Sequence, residues 1–206
     1  MMAFQLPAIV QAVRVERPKA EIWYPNVRGL QHADAQQAIR QSIREEMEAL
    51  VAKQGPLTDP RSEMTAWFEV KTNARYVFSL SLYNYAYAGG AHGLTLQSSL
   101  TFRSDTGKKY ALAELFNPGT DYVKVLTAHV KQQIAAREVP VYDFEPFEAI
   151  RTDQDYYVAD RALVIYFQVY EITPYVYGFP YFPVSVFDLQ SIIREDGPLG
   201  PMAVND

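Results

Sequence analysis

Two aromatic segments carry the residue types and spacings most suited to chemistry, and that chemistry is recognition. The first is Tyr83-Asn84-Tyr85-Ala86-Tyr87-Ala88-Gly89-Gly90-Ala91-His92-Gly93. Tyrosines two apart share one face of a strand. The glycines permit positive backbone angles and close approach of another chain or ligand. This is not a phosphate cradle, because it lacks the G-x-x-x-x-G-K spacing and joins strands rather than opening a helix. Two readings stand side by side: a ligand-contacting surface of Tyr85, Tyr87, Gly89, Gly90 and His92, or a bulged hairpin turn that a hydrogen bond from His92 holds in shape. The second segment runs from Tyr170 through Glu171-Ile172-Thr173-Pro174-Tyr175-Val176-Tyr177-Gly178-Phe179-Pro180 to Val184. It packs six aromatics and three prolines into fifteen residues. Prolines lower the entropic cost of ordering a segment on binding. Tyr175, Tyr177 and Phe179 suit an exposed anchor patch, or else a packed connection between two core strands.

Signals for catalysis are sparse. The three histidines, His32, His92 and His129, form no H-x-x-H or H-E-x-x-H pair. There are no cysteines, so thiol catalysis, disulfides and zinc–thiolate sites are excluded. Asp153-x-Asp155 lacks the glycine and downstream glutamate of a calcium loop. No G-x-S-x-G elbow occurs. Asp143, Glu145 and Glu148 are neighbours only in sequence, which says nothing of a glycosidase pair across a cleft. Glu171 ends an apolar run and is expected to be partly buried and paired with an arginine or a tyrosine hydroxyl. An enzyme would need His92 and Glu171 to converge on one substrate atom. The expectation is a non-catalytic protein without cofactor or metal.

Positioning these residues falls to an α+β scaffold. Hydrophobic residues are 49% and charged residues 21% of the 206, an ordinary globular balance. Aromatic residues reach 14%, led by 15 tyrosines; this suits both a recognition surface and a β-rich core. The net charge of -5 argues against nucleic acid and permits attraction to a basic protein. No apolar run is long enough to span a membrane. Residues 1–15 have no basic region before an apolar core, so they read as the start of a folded strand rather than a leader. Either the protein stays in the cytoplasm or an export segment is missing.

Residues 10–16 and 19–24 read as short extended segments. A helix follows, with Asp34 as N-cap and Gln37 completing a variant capping box. Its stripe is Ile39, Ile43, Met47, Leu50 and Val51, and Gly55-Pro56 stops it. Alternation then marks a meander over about residues 64–112, with a turn at 71–75 and a polar outer face. Ser104-Asp105-Thr106-Gly107 turns into a further short strand. A second helix starts near Thr120 or Asp121, with Tyr122, Leu126, Val130 and Ile134 buried. A helical turn is expected from Pro146, strands at 156–158, 162–170 and 181–186, and a helical turn at 187–193. The antiparallel meander packed against two main helices forms a single domain over 1–206. Its subregions are 19–112 and 113–196, and 197–206 is a frayed tail.

The Tyr-x-Tyr-x-Gly-Gly-Ala-His-Gly turn is followed by Leu112-Ala113-Glu114-Leu115-Phe116 and then by Tyr-Glu-Ile-x-Pro-Tyr-x-x-Gly at 170–178. Together these motifs resemble a bacterial family of uncharacterised domains. That family includes the extracytoplasmic part of the lysozyme-sensing anti-sigma factor RsiV and the accessory region of the peptidoglycan deacetylase PdaC. The similarity covers residues 20–193. It implies an α+β fold, a non-catalytic role, an extracytoplasmic setting and, in the anti-sigma branch, lysozyme binding. The chain departs from that branch in having no transmembrane helix, no sigma-binding region and no attached deacetylase domain. The leading expectation is therefore a binding module for a lysozyme-like protein or a peptidoglycan-type glycan of the cell envelope, monomeric or homodimeric. The alternative is a structural domain whose exposed aromatics close a homodimer.

Overall fold

A computed structural model describes residues 7–204. The chain divides between Lys109 and Tyr110 into two units, and each is built on its own sheet. The class is α+β, as the element order implies.

The first unit opens with a hairpin of β1 (Ile9–Arg17) and β2 (Ala20–Arg28), paired along all of their length. Both strands are longer than the segments expected from alternation. Residues 1–6 of the expected N-terminal strand lie outside the described residues. Helix α1 (Ala33–Lys53) follows. It buries Ala35, Ile39, Ile43, Met47 and Leu50 at helical spacing, as the apolar stripe predicts. Its N-cap is His32, which makes no side-chain cap; Asp34 falls inside the first turn instead. There a carboxylate still complements the helix dipole without capping a backbone N–H. Gly55, at φ +76°, ends the helix as expected.

The meander is β3 (Glu63–Ala74), β4 (Val77–Tyr87) and β5 (Leu94–Arg103), antiparallel throughout. The expected turn at 71–75 is displaced. A bulge between Val70 and Thr72 lets the ladder run to Ala74, and the reversal falls on Arg75 and Tyr76, both at positive φ. The sheet order is β1-β2-β3-β4-β5. Residues Ala20–Ile22 of β2 run parallel to Met64–Ala66 of β3, which makes the sheet mixed. A parallel pair needs a long crossover, and α1 supplies it.

The core of this unit sets the α1 stripe against Ile22, Ala66, Phe78, Leu80, Leu82, Leu100 and Phe102. The other face of β4 was expected to be polar and open. Its serines are polar but fully buried, and they satisfy each other sideways: Ser79 pairs with Thr101 and Ser81 with Ser99, each at 2.9 Å. The strand expected after Gly107 shrinks to a single bridge between Phe102 and Lys109. Gly107, at φ +73°, lies so close to α1 that a Cβ would stand 2.7 Å from the Ala35 backbone.

The second unit holds α2 (Tyr122–Ala136) and an antiparallel sheet ordered β6-β7-β8, formed by β6 (Tyr156–Ala159), β7 (Ala162–Tyr166) and β8 (Tyr181–Ser185). Asp121 caps α2 by accepting the Lys124 N–H at 3.0 Å. Leu126 and Val130 are fully buried. No helical turn forms at Pro146. Residues 146–150 are irregular, with Phe147 edge-on to Phe167 at 5.5 Å and the Ile150 N–H bonded to Thr127 Oγ1. Strand β7 stops at Tyr166, short of the expected 170, because Gln168 to Glu171 form a turn with Tyr170 at φ +72°. The chain after Gly197, expected to fray, stays packed through Met202, with Leu199 and Met202 buried and a 3-10 turn at Pro201–Ala203.

Met47→Ala should lower the unfolding free energy by about 2–5 kcal/mol in urea titration. Ala49→Ser, on the exposed side of the same helix, should change it by no more than about 0.5 kcal/mol.

Candidate functional site

The aromatic segment of the second unit closes into a 3-10 turn, Tyr175–Tyr177, entered from Pro174 and left through Gly178 at φ +75°. Its base is braced. The Tyr177 N–H reaches Pro174 O at 2.9 Å. Tyr142 donates its hydroxyl to Thr173 O at 2.9 Å and its N–H to Ile172 O at 3.2 Å. The Glu171 carboxylate pairs with Arg151 and accepts the Gln168 N–H at 2.7 Å. Glu171 is thus the partly buried, arginine-paired residue that the sequence suggested, and its role is to hold the turn.

What this base holds up is apolar. Tyr175 is 37% exposed, Tyr170 47% and Val176 92%, and the two tyrosine rings lie 5.3 Å apart. Phe144, 81% exposed, stacks at 4.8 Å on the same Tyr142 that bonds to Thr173. Tyr177 and Phe179 are half-buried, and Phe179 leans on Tyr181 at 6.2 Å. Of the three residues expected on an anchor patch, Tyr175 is exposed and Tyr177 and Phe179 are half-buried. Strand-like alternation favours Tyr175, Tyr177 and Phe179, whereas three residues per turn fan out Tyr175 and Val176 instead. The acids Asp143, Glu145 and Glu148 beside Phe144 in sequence are the signal for its exposure.

The glycine-rich turn lies in the first unit, between β4 and β5. Gly89 and Gly90 take φ of +95° and +117°. The Tyr87 hydroxyl donates to Gly90 O at 2.9 Å, and His92 Nδ1 lies 3.0 Å from Gly93 O. A Cβ on Gly93 would stand 2.3 Å from the Tyr85 ring, and one on Gly89 2.9 Å from the Asp59 carboxylate. Tyr85, Tyr87, Gly89, Gly90 and His92 thus contribute to a turn that braces itself. His92 belongs to this unit and Glu171 to the other.

A third feature had no sequence signal. Between the β1–β2 hairpin and α1 lies a cleft of about 590 Å³. Val13, Val15, Pro25 and Ile43 give it an apolar floor; Arg17, Tyr24, Arg40, Arg44 and Glu48 give it a charged wall. Arg17 grips Glu48 at 2.6 and 3.0 Å, and the Tyr24 hydroxyl donates to Glu48 at 2.5 Å. Burial and the hydrogen bond to Glu48 push the Tyr24 hydroxyl up to about 12. The hydrogen bond from Arg17 holds the Glu48 carboxyl below its usual range. Arg40 donates to Val27 O at 2.8 Å and Asn26 Oδ1 at 2.6 Å. Among the described residues no group of three or more His, Asp or Glu side chains could hold a metal ion, and no helix is long and apolar enough to cross a membrane.

The class these features define is an α+β protein of two sheets that presents a braced aromatic turn. Residues 113–186 match the model of a family described as a protein of unknown function, DUF3298, and residues 16–95 match the model described as deacetylase PdaC. The chain is similar, in one segment of each unit, to the bacterial domains that its motifs resemble. A DUF3298 family member from Bacteroides fragilis is 15% identical with a TM-score of 0.67, covering 97% of each chain. A DUF3298 family protein from Pseudomonas aeruginosa is 16% identical with a TM-score of 0.68, covering 92% of this chain and 95% of that one. At these identities the likeness shows the fold. No curated protein matches the chain.

Two measurements follow from the first unit. Gly93→Ala should drive the Tyr85 ring from its seat and destabilise the unit by about 1–3 kcal/mol, read as a shift in the urea midpoint. The Tyr24–Glu48 pair sets a pH window. The stability Tyr24 contributes is complete below its unfolded value near 10 and disappears as pH rises through about 12. That of Glu48 is present above the ordinary carboxylate range and lost as pH falls through its lowered value. Glu48→Gln should therefore destabilise the protein at neutral pH and converge with wild type in acid, followed by chemical denaturation at stepped pH.

Proposed function

We propose that the chain is a non-catalytic binding module for a cell-envelope ligand, either a lysozyme-like protein or a peptidoglycan-type glycan. The observation that carries this reading is the exposed apolar rim of Tyr170, Tyr175 and Val176 on a hydrogen-bonded turn. An apolar side chain 92% in water adds nothing to folding, and a braced turn loses little entropy when a partner covers it. Tyrosine faces stack on sugars and fill protein pockets alike. Asp143, Glu145 and Glu148, near Phe144 in sequence, are exposed, and the net charge is -5; both favour encounter with a basic partner. The motif resemblance to the lysozyme-sensing branch supplies the ligand class.

The same exposed rim supports a second reading, closure of a homodimer through Val176 of each copy. Calorimetric titration with a c-type lysozyme and with soluble peptidoglycan fragments, at physiological and raised salt, tests the first. Saturable binding should survive the added salt, and Tyr175→Ala should weaken it by about 2 kcal/mol, about 30-fold. Absence of heat with both ligands, together with a mass by light scattering that doubles with concentration and reverts in Val176→Asp, would replace it with the homodimer.

A further inference from the structure

We infer that the first unit takes an extended acidic peptide as an added strand on the free edge of β1, with the peptide's inward side chains entering the cleft over α1. This surface lies in the first unit and the aromatic rim in the second, so either proposal can fail without the other.

Three observations converge on it. Strand β1 ends the sheet order, and no described strand pairs its outer edge. It is exposed at every residue but Val10. Its ladder to β2 is continuous over nine residues without a bulge, and β1 itself contains no proline. Such an edge presents a row of unpaired N–H and C=O groups, which proteins ordinarily blunt or fill. The cleft lies directly inboard of that edge, between the hairpin and α1, and Val13 and Val15 line it while remaining 39% and 36% exposed. An added strand runs about 4.8 Å outside β1, so alternate side chains drop beside these valines and against the Gln37, Gln41 and Arg44 side of α1.

Charge selects the occupant. The cleft holds three arginines and one glutamate in a chain whose net charge is -5. The glutamate, Glu48, is already satisfied by Arg17 and Tyr24. Arg44 is exposed at the cleft, and its charge acts on Tyr24 and Glu48. A carboxylate arriving at every second position of a strand would meet this excess positive charge. Main-chain bonds to the edge would give affinity and the alternate side chains selectivity.

The probe is a fluorescent nonapeptide alternating valine and glutamate, titrated by anisotropy into the full chain, with amide hydrogen exchange read along residues 9–17. Binding should slow exchange at β1, and Arg44→Glu should weaken it about tenfold with the unfolding midpoint unchanged. The matching valine–lysine peptide should not bind. Equal binding of the lysine peptide, or binding that leaves exchange at β1 unaltered, would overturn the inference. So would hexanoate saturating the cleft while the peptide fails, which would make it a small-carboxylate site. Exchange protection that rises with protein concentration alone would assign the edge to a second copy of the chain.

Discussion

The first unit depends on one act of burial, the apolar stripe of α1 laid across the inner face of its sheet. Ile39, Ile43, Met47 and Leu50 leave water together with Phe78, Leu80, Leu82 and Phe102. Each such side chain contributes about 1.5–3 kcal/mol by burial, set against the entropy of ordering the strands beneath. Because α1 connects β2 to β3, its crossover makes that pair parallel and sends the hairpin to the outside of the sheet. The helix seats against β2, β4 and β5. Strand β1 is left as an overhang, and the cleft is the space beneath it.

The same packing sets the demands on the glycines and serines around it. Gly107 is glycine because the turn after β5 lies against the backbone of Ala35. Ser79 and Ser81 are small enough for their strand to be buried on both faces, and each finds a hydroxyl partner on β5 in place of water. The glycine-rich turn follows the same logic, since the Tyr85 ring occupies the volume that any side chain at Gly93 would need.

The two aromatic segments look alike in composition and differ in fate. In the first, Tyr83 stacks on Trp67 at 5.2 Å and Tyr87 bonds to its own turn, so the rings are used in holding the strand ends together. In the second, the polar groups do the bracing through Arg151, Glu171, Gln168 and Tyr142. Above that bracing, Tyr175 and Val176 stay exposed. Charge is divided in a similar way. The acids near Phe144 in sequence and the arginines of the cleft sit in different units, so the overall charge describes neither surface.

Much of the scaffold was legible because its signals are local. The periods of α1, α2, β4 and β5, the Asp121 cap and the Gly55 stop follow from short-range rules of side-chain direction and backbone angle, and those rules act on residues a few positions apart. The alternation at 66–70 located β3, but no rule of spacing announces the bulge at Val70 that carried its turn to Arg75 and Tyr76. Whether Tyr177 is exposed, whether β7 stops at Tyr166, and whether residues 199–202 pack depend on neighbours far along the chain. The cleft is the extreme case: Val13, Tyr24, Arg44 and Glu48 share no motif. The sequence by itself determined the positions of the two main helices and the main strands and singled out two aromatic-rich segments. Only the tertiary structure decided which aromatic faces water and that a charged cleft exists, because exposure and cavities are properties of the gaps between elements.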